Sequence, residues 1–209
     1  MKRRLVFFIG PAGAGKTHAI ELLAKAGMLK QLSIGHEIKK QMIGDPDFNR
    51  RWGGQIATGR SLPDSVVCGL FDKVVAGIDD ELTAIDGFPT SSGQVSHARK
   101  KGVLGGSLCL IFNAPPTVCR RRHDLRSKQQ HSFDATTEVF ESRSNFHRQA
   151  ITGIVSSLLH GQAVIQQINV ECEISEGPIE DVIAHIKAWQ AGSAVLNGRK
   201  RSLAPASVI

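Results

Sequence analysis

Short unbroken apolar runs alternate with longer segments whose apolar positions recur every three or four residues. Leu5-Val6-Phe7-Phe8-Ile9, Leu82-Thr83-Ala84-Ile85 and Leu108-Cys109-Leu110-Ile111-Phe112 are such runs; Val164 to Val170, interrupted by Gln166, Gln167 and Asn169, reads as the last strand, and a shorter apolar dip lies at Gln31-Leu32-Ser33-Ile34. Runs of that length without polar alternation are the signature of strands covered on both faces. Between them, His18–Ala26 and His36–Ile43 carry helical patterning. Ser65–Ala76 places Val67, Leu70, Phe71, Val74 and Val75 on one stripe, entered through Pro63 and Asp64. A basic helix follows Pro115-Pro116, a long one spans Thr137–Leu159 with Glu138 in its first turn, and Ile179–Trp189 closes the pattern. Gly44–Gly54, with Asp45-Pro46-Asp47 and paired glycines, reads as a loop; Gly59–Asp64 reads as a turn and Ser127–Asp134 as a short polar connection. Strands alternating with helices predict an α/β protein with a central parallel five-stranded sheet flanked by helices.

The first of these runs leads into Gly10-Pro11-Ala12-Gly13-Ala14-Gly15-Lys16-Thr17. Strand, glycine-rich loop and helix at the spacing G-x-x-x-x-G-K-[ST] make a P-loop. Glycines let successive backbone N–H groups curl around phosphate oxygens, and the helix N-terminus adds its partial positive charge. Lys16 can reach the outer phosphates and the Thr17 hydroxyl can ligate Mg²⁺. Asp86, at the end of the second buried run, is the acid such a site needs near the metal. The chain is therefore expected to bind a nucleoside triphosphate.

Composition narrows the class. The 209 residues suffice for one sizeable core, with 41% hydrophobic and 22% charged residues. The net charge of +7 gathers at Lys2-Arg3-Arg4, Arg120-Arg121-Arg122 and Arg199-Lys200-Arg201, and the chain has no Tyr, so a stacking platform for specific nucleic acid is not expected. Cys68, Cys109, Cys119 and Cys172 form no C-x-x-C pair, which argues against zinc, and Cys109 reads as a reduced core thiol. His36, His97, His123 and His131 read as surface histidines, and Phe88 as packing beneath the site. No run is long and apolar enough to span a membrane, and no secretory pattern precedes Leu5, so a cytoplasmic protein is expected.

The order of these segments, from about Leu5 to Trp189, resembles the adenylate kinases and, more broadly, the nucleoside monophosphate kinases. The P-loop comes first, and Gly35 stands in the segment that the family writes Ser-Thr-Gly-Asp. Gly59-Arg60-Ser61-Leu62-Pro63-Asp64 resembles the turn Gly-x-Leu-Val-Pro-Asp. Asp86-Gly87-Phe88-Pro89 with Gln94 resembles Asp-Gly-Phe-Pro-Arg-x-x-x-Gln. Arg122, Arg126, Asp134, Glu138 and Arg143 have the spacing of the residues flanking the family's lid, and Ile168-Asn169-Val170-Glu171 resembles its last strand ending.

The resemblance implies a P-loop kinase fold in one domain over residues 1–191. Within it lie an acceptor-binding insertion at about 35–64 and a short lid at about 127–136, followed by a mobile tail over 192–209. It also implies transfer of the γ-phosphoryl of Mg-ATP to a nucleoside monophosphate by a monomer. Lys16, Arg126 and Arg143 would be the catalytic residues. Gly10 to Thr17 and Arg122 would bind ATP; Gly35, Lys39, Leu62, Gly87 and Gln94 would bind the acceptor; Thr17 and, through water, Asp86 would hold Mg²⁺. Gln94 implies that the acceptor is AMP.

Three departures remove guanidinium groups: Thr90 stands for the Arg of Asp-Gly-Phe-Pro-Arg, Lys39 for the Arg of the acceptor helix, and Ser132 for a lid arginine. Ile34-Gly35-His36 replaces Thr-Gly-Asp, and Ala135 replaces a lid aspartate. Arg50, Arg51, Arg60 or Lys40 could supply the missing charge. Two other readings stay open: a P-loop kinase with a different acceptor, and a non-catalytic ATP-binding protein.

Overall fold

A computed structural model describes residues 4–79, 81–129, 136–170 and 177–192. Its centre is β1 (Leu5–Ile9), every residue of which is buried. The strand pairs in parallel with β3 (Thr83–Asp86) on one side and β4 (Leu108–Asn113) on the other. β2 (Lys30–Ser33) and β5 (Val164–Asn169) lie outside these, giving the order β2-β3-β1-β4-β5. Continuous apolar sequence at the centre and polar residues on the two edges follow from this order, since only the inner strands are covered on both faces.

Alternation along β1 divides the core. Leu5, Phe7 and Ile9 face one layer, with Phe71, Phe88, Leu104 and Ile154. Val6 and Phe8 face the other, with Ile20, Leu23, Phe112, Phe140 and Val182. The first layer is built by α4 (Asp64–Ala76), α5 (Ser92–Lys100) and α7 (Thr137–His160); the second by α1 (Lys16–Lys25), α6 (Pro116–Gln129) and α8 (Gly177–Gln190), joined by Phe140 from the start of α7. Phe88 stacks on Phe71 with ring centroids 3.9 Å apart, where the sequence placed it beneath the site. Cys109 is fully buried, and burial pushes its thiol pKa up to about 12.

α2 (Ile34–Gly44) begins directly after β2. The loop expected over Gly44–Gly54 is instead mostly helix, α3 (Pro46–Ala57). Asp45 caps it, its carboxylate accepting from the N–H groups of Asp47 and Phe48 at 3.0 Å each, and Pro46 fits the first turn. Phe48, Trp52 and Ile56 then recur one turn apart and pack on the core. Gly53 and Gly54 cost about 1 kcal/mol each in helix propensity. Cap and apolar stripe outweigh them. Ser127 to Gln129, expected to open a polar connection, are still helix, because α6 continues to Gln129. Ser132, Asp134, Ala135, His131, Glu171, Cys172 and the tail from residue 193 lie outside the described residues.

Candidate functional site

The chain leaves the carboxyl end of β1 at Gly10 and turns into α1 at Lys16. Gly15 caps this helix in the left-handed region at φ 91°, with no side-chain cap and no acidic residue in the first turn. The orphan N–H groups of the helix start are thus left to an incoming anion. A Cβ on Gly13 (φ 82°) would stand 2.5 Å from the Cys119 carbonyl oxygen, so the approach of α6 to the loop requires glycine there.

Lys16 Nζ donates to the carbonyls of Gly10 and Pro11, both at 2.7 Å. Burial lowers its pKa from the ordinary lysine value and repulsion from Arg126 adds to this, while Asp86 and Cys119 act the other way. The register of β1 with β3 sets Phe8 beside Asp86, which brings the carboxylate under the loop. There the Thr17 hydroxyl donates to Asp86 Oδ2 at 2.7 Å. Among the described residues no three His, Cys, Asp or Glu side chains gather to hold a metal. One hydroxyl and one carboxylate fit Mg²⁺, which keeps several waters and takes its remaining oxygens from substrate phosphates.

One cavity of about 1470 Å³ opens over this loop. Of the proposed ATP-binding residues, Gly10, Ala12, Gly13, Ala14, Gly15, Lys16, Thr17 and Arg122 line it; Pro11 contributes its carbonyl to Lys16 instead. Arg122 lies across the loop, donating from Nη1 to the Ala14 carbonyl at 3.1 Å. Arg126 of α6 and Arg143 of α7 line the same space. These two helices are tied by His123, which is 3% exposed and stacks on Phe140 with centroids 4.5 Å apart, and by the 2.7 Å ion pair Arg120–Glu141. His123 is therefore a packed residue rather than the surface histidine its basic neighbours suggested. His97 likewise has a partner, Asp72 on α4, at 2.9 Å.

Of the residues expected to bind an acceptor, Gly35, Lys39, Leu62 and Gly87 line the cavity, as does Thr90. Gly87 lies against Gly35: a Cβ on Gly87 would stand 3.6 Å from the Gly35 nitrogen. Gln94 is placed differently. It is 1% exposed and does not line the cavity. Its Oε1 accepts from the Thr90 N–H at 2.8 Å and from the Thr90 hydroxyl at 3.2 Å, and its Nε2 donates to Asp64 at 2.9 Å. Asp64 also accepts from the Ser91 hydroxyl at 2.8 Å.

Of the cations that could replace the missing guanidinium groups, Arg60 lines the cavity. Arg50 pairs with Asp47 at 3.0 Å, and Arg51 lies over Trp52 at 4.9 Å. The cavity wall also includes Phe146 and His147, which the sequence reading passed over. Their signal was there: His147 falls one helical turn after Arg143.

Among the described residues, no helix is long and apolar enough to cross a membrane. No protein-family model matches the chain. Curated relatives do. The adenylate kinase of Helicobacter hepaticus is 22% identical over 196 residues, covering 91% of this chain and 98% of its own. That of a Synechococcus strain is 24% identical over 191 residues, covering 90% and 96%. The adenylate kinase of Giardia intestinalis reaches 33% identity over 92 residues, covering 44% and 37%. A P-loop at the end of the central strand and an all-parallel five-stranded sheet thus accompany a similarity to adenylate kinases that runs over nine-tenths of the chain.

Proposed function

We propose that the protein is a nucleoside monophosphate kinase that moves the γ-phosphoryl of ATP to AMP, giving two molecules of ADP. The observation that carries this reading is the single continuous cavity. Its donor wall is Lys16, Thr17, Asp86 and Arg122, its acceptor wall is Gly35, Lys39, Leu62 and Gly87, and Arg126 and Arg143 line the space they share. Its volume of about 1470 Å³ exceeds the roughly 300–1,000 Å³ of a pocket for one small ligand. That is room for two nucleotides.

In the transfer, a phosphate oxygen of the acceptor attacks the γ-phosphorus while the bond to the β–γ bridging oxygen breaks, and ADP leaves with that electron pair. Side chains make no covalent bond; they align the two polyphosphates and offset the charge that spreads over the moving group. The loop N–H groups and Lys16 hold the donor, with Lys16 exchanging its two carbonyl contacts for phosphate oxygens. Arg126 and Arg143 neutralise the transferring group. Thr17, its proton directed to Asp86, keeps lone pairs free and would hold Mg²⁺ together with Asp86. When bound, Mg²⁺ would supply positive charge that offsets the negative charge of the phosphates. The relatives named adenylate kinase support this class of reaction.

A second reading, a different acceptor, is favoured by Thr90 and Gln94. Thr90 offers the cavity no cation, and both amide groups of Gln94 are engaged by Thr90 and Asp64, so reading adenine with that amide requires exchanging those bonds. Formation of ADP from Mg-ATP with AMP, dAMP, CMP, UMP and GMP in parallel separates the two. Highest kcat/KM with AMP is the expected result; preference for another acceptor would replace it.

A further inference from the structure

His147 lies on α7 four residues beyond Arg143, the spacing that stacks two side chains along one helix face. Both line the cavity, as does Lys16 at the end of the P-loop. Burial, and then the positive charge of Lys16, hold the imidazole pKa down at about 4. Near neutral pH the ring is therefore uncharged, with one N–H to donate and one lone pair. The transfer described above assigns it nothing.

We propose that His147 contacts substrate, its ring N–H donating to a phosphate oxygen held in the cleft between Lys16 and Arg143. The space that a lysine and an arginine share is one that an anion fills. A neutral donor there adds a hydrogen bond to a charged group without adding a further mutually repelling cation to the cleft before substrate arrives. This rests on reading the cleft as a polyphosphate site, and the test separates the two claims.

Binding of ATP, inorganic tripolyphosphate and adenosine is measured calorimetrically on the full chain for the wild type, His147→Phe and His147→Gln. Phe keeps a flat ring without the donor, and Gln keeps an N–H donor. His147→Phe is expected to lose about tenfold in affinity for ATP and tripolyphosphate and to bind adenosine as the wild type does, with His147→Gln restored to within about threefold. KM for ATP should follow the same order. Equal binding of tripolyphosphate by the wild type and His147→Phe, or an equal loss for ATP and adenosine, would overturn the contact while leaving the polyphosphate site standing. Failure of the wild type to bind either ATP or tripolyphosphate would overturn both. A measurement on the unaltered protein guards against a misfolded variant: tripolyphosphate should shift the His147 ring ¹H–¹⁵N signals and adenosine should not. Signals that stay in place under saturating tripolyphosphate would equally overturn the contact.

Discussion

The Thr17 hydroxyl and the Asp86 carboxylate, on two different elements, meet at 2.7 Å. Parallel register between β1 and β3 makes this meeting possible, because Phe8 lies level with Asp86 and the P-loop leaves just one residue later, after Ile9. Asp86 is 7% exposed, and its charge is set against Lys16 in the same cleft. If the pair serves Mg²⁺, Asp86→Asn should reduce kcat below about one per cent of wild type, the scale of losing one electrostatic stabiliser of a transition state. It should also raise the Mg²⁺ concentration needed for half-maximal rate. Both are read from turnover across a Mg²⁺ titration. An unchanged titration curve would remove Asp86 from the metal's support.

Thr90→Arg tests whether the cavity wall at Thr90 faces an acceptor phosphate. The Thr90 N–H bond to Gln94 Oε1 uses only the backbone of Thr90, so it survives the substitution; the hydroxyl bond does not. A guanidinium at this cavity-lining position exchanges a neutral contact worth about 1 kcal/mol for a charge-assisted one of roughly 1.5–3. The kcat/KM for AMP should rise about tenfold, measured by ADP formation at subsaturating AMP. No gain would mean that the role is already filled, with Arg60 the cation placed to fill it.

Phe88 links the site to the core. It is 1% exposed, stacks on Phe71, and directly follows Gly87 at the cavity wall. Phe88→Ala should cost about 3–5 kcal/mol of stability through lost burial and the cavity left behind. Urea unfolding would show this as a lower midpoint with the slope retained. A loss below about 1 kcal/mol would mean that the neighbouring rings close the gap.

His147 makes stability depend on pH. Its folded pKa of about 4 lies below the value of 6.5 in an unfolded chain. The unfolded state therefore binds the proton first as pH falls, so the contribution is complete above 6.5 and is lost progressively down to about 4. Unfolding free energies of the wild type and His147→Gln should differ by a constant above pH 7, and the wild type should lose ground between pH 6.5 and 4. Parallel curves through that window would contradict this.

The P-loop and the acid beside it were legible because their signals are local. The P-loop spacing places Lys16 and Thr17 at the end of the strand that precedes them, and an acid closing the next buried run lies next door once the strands pair in parallel. What escaped was carried by contacts between distant segments. His123 sits among arginines and looks solvated until Phe140, on another helix, covers its ring. Gln94 looks available until Asp64 and Thr90 occupy its amide. The helix at Pro46–Ala57 was masked by counting its glycines; the Asp45 cap and the Phe48, Trp52, Ile56 spacing were the stronger evidence.

Transfer of label tests the central claim most directly. ATP carrying labelled phosphorus only at the γ-position is incubated with Mg²⁺ and unlabelled AMP, and the nucleotides are separated before the reverse reaction mixes them. The account predicts label at the β-position of newly formed ADP with the wild type and none above background with Lys16→Ala. Label released as inorganic phosphate, or retained on ATP while AMP stays bound and unchanged, would contradict it.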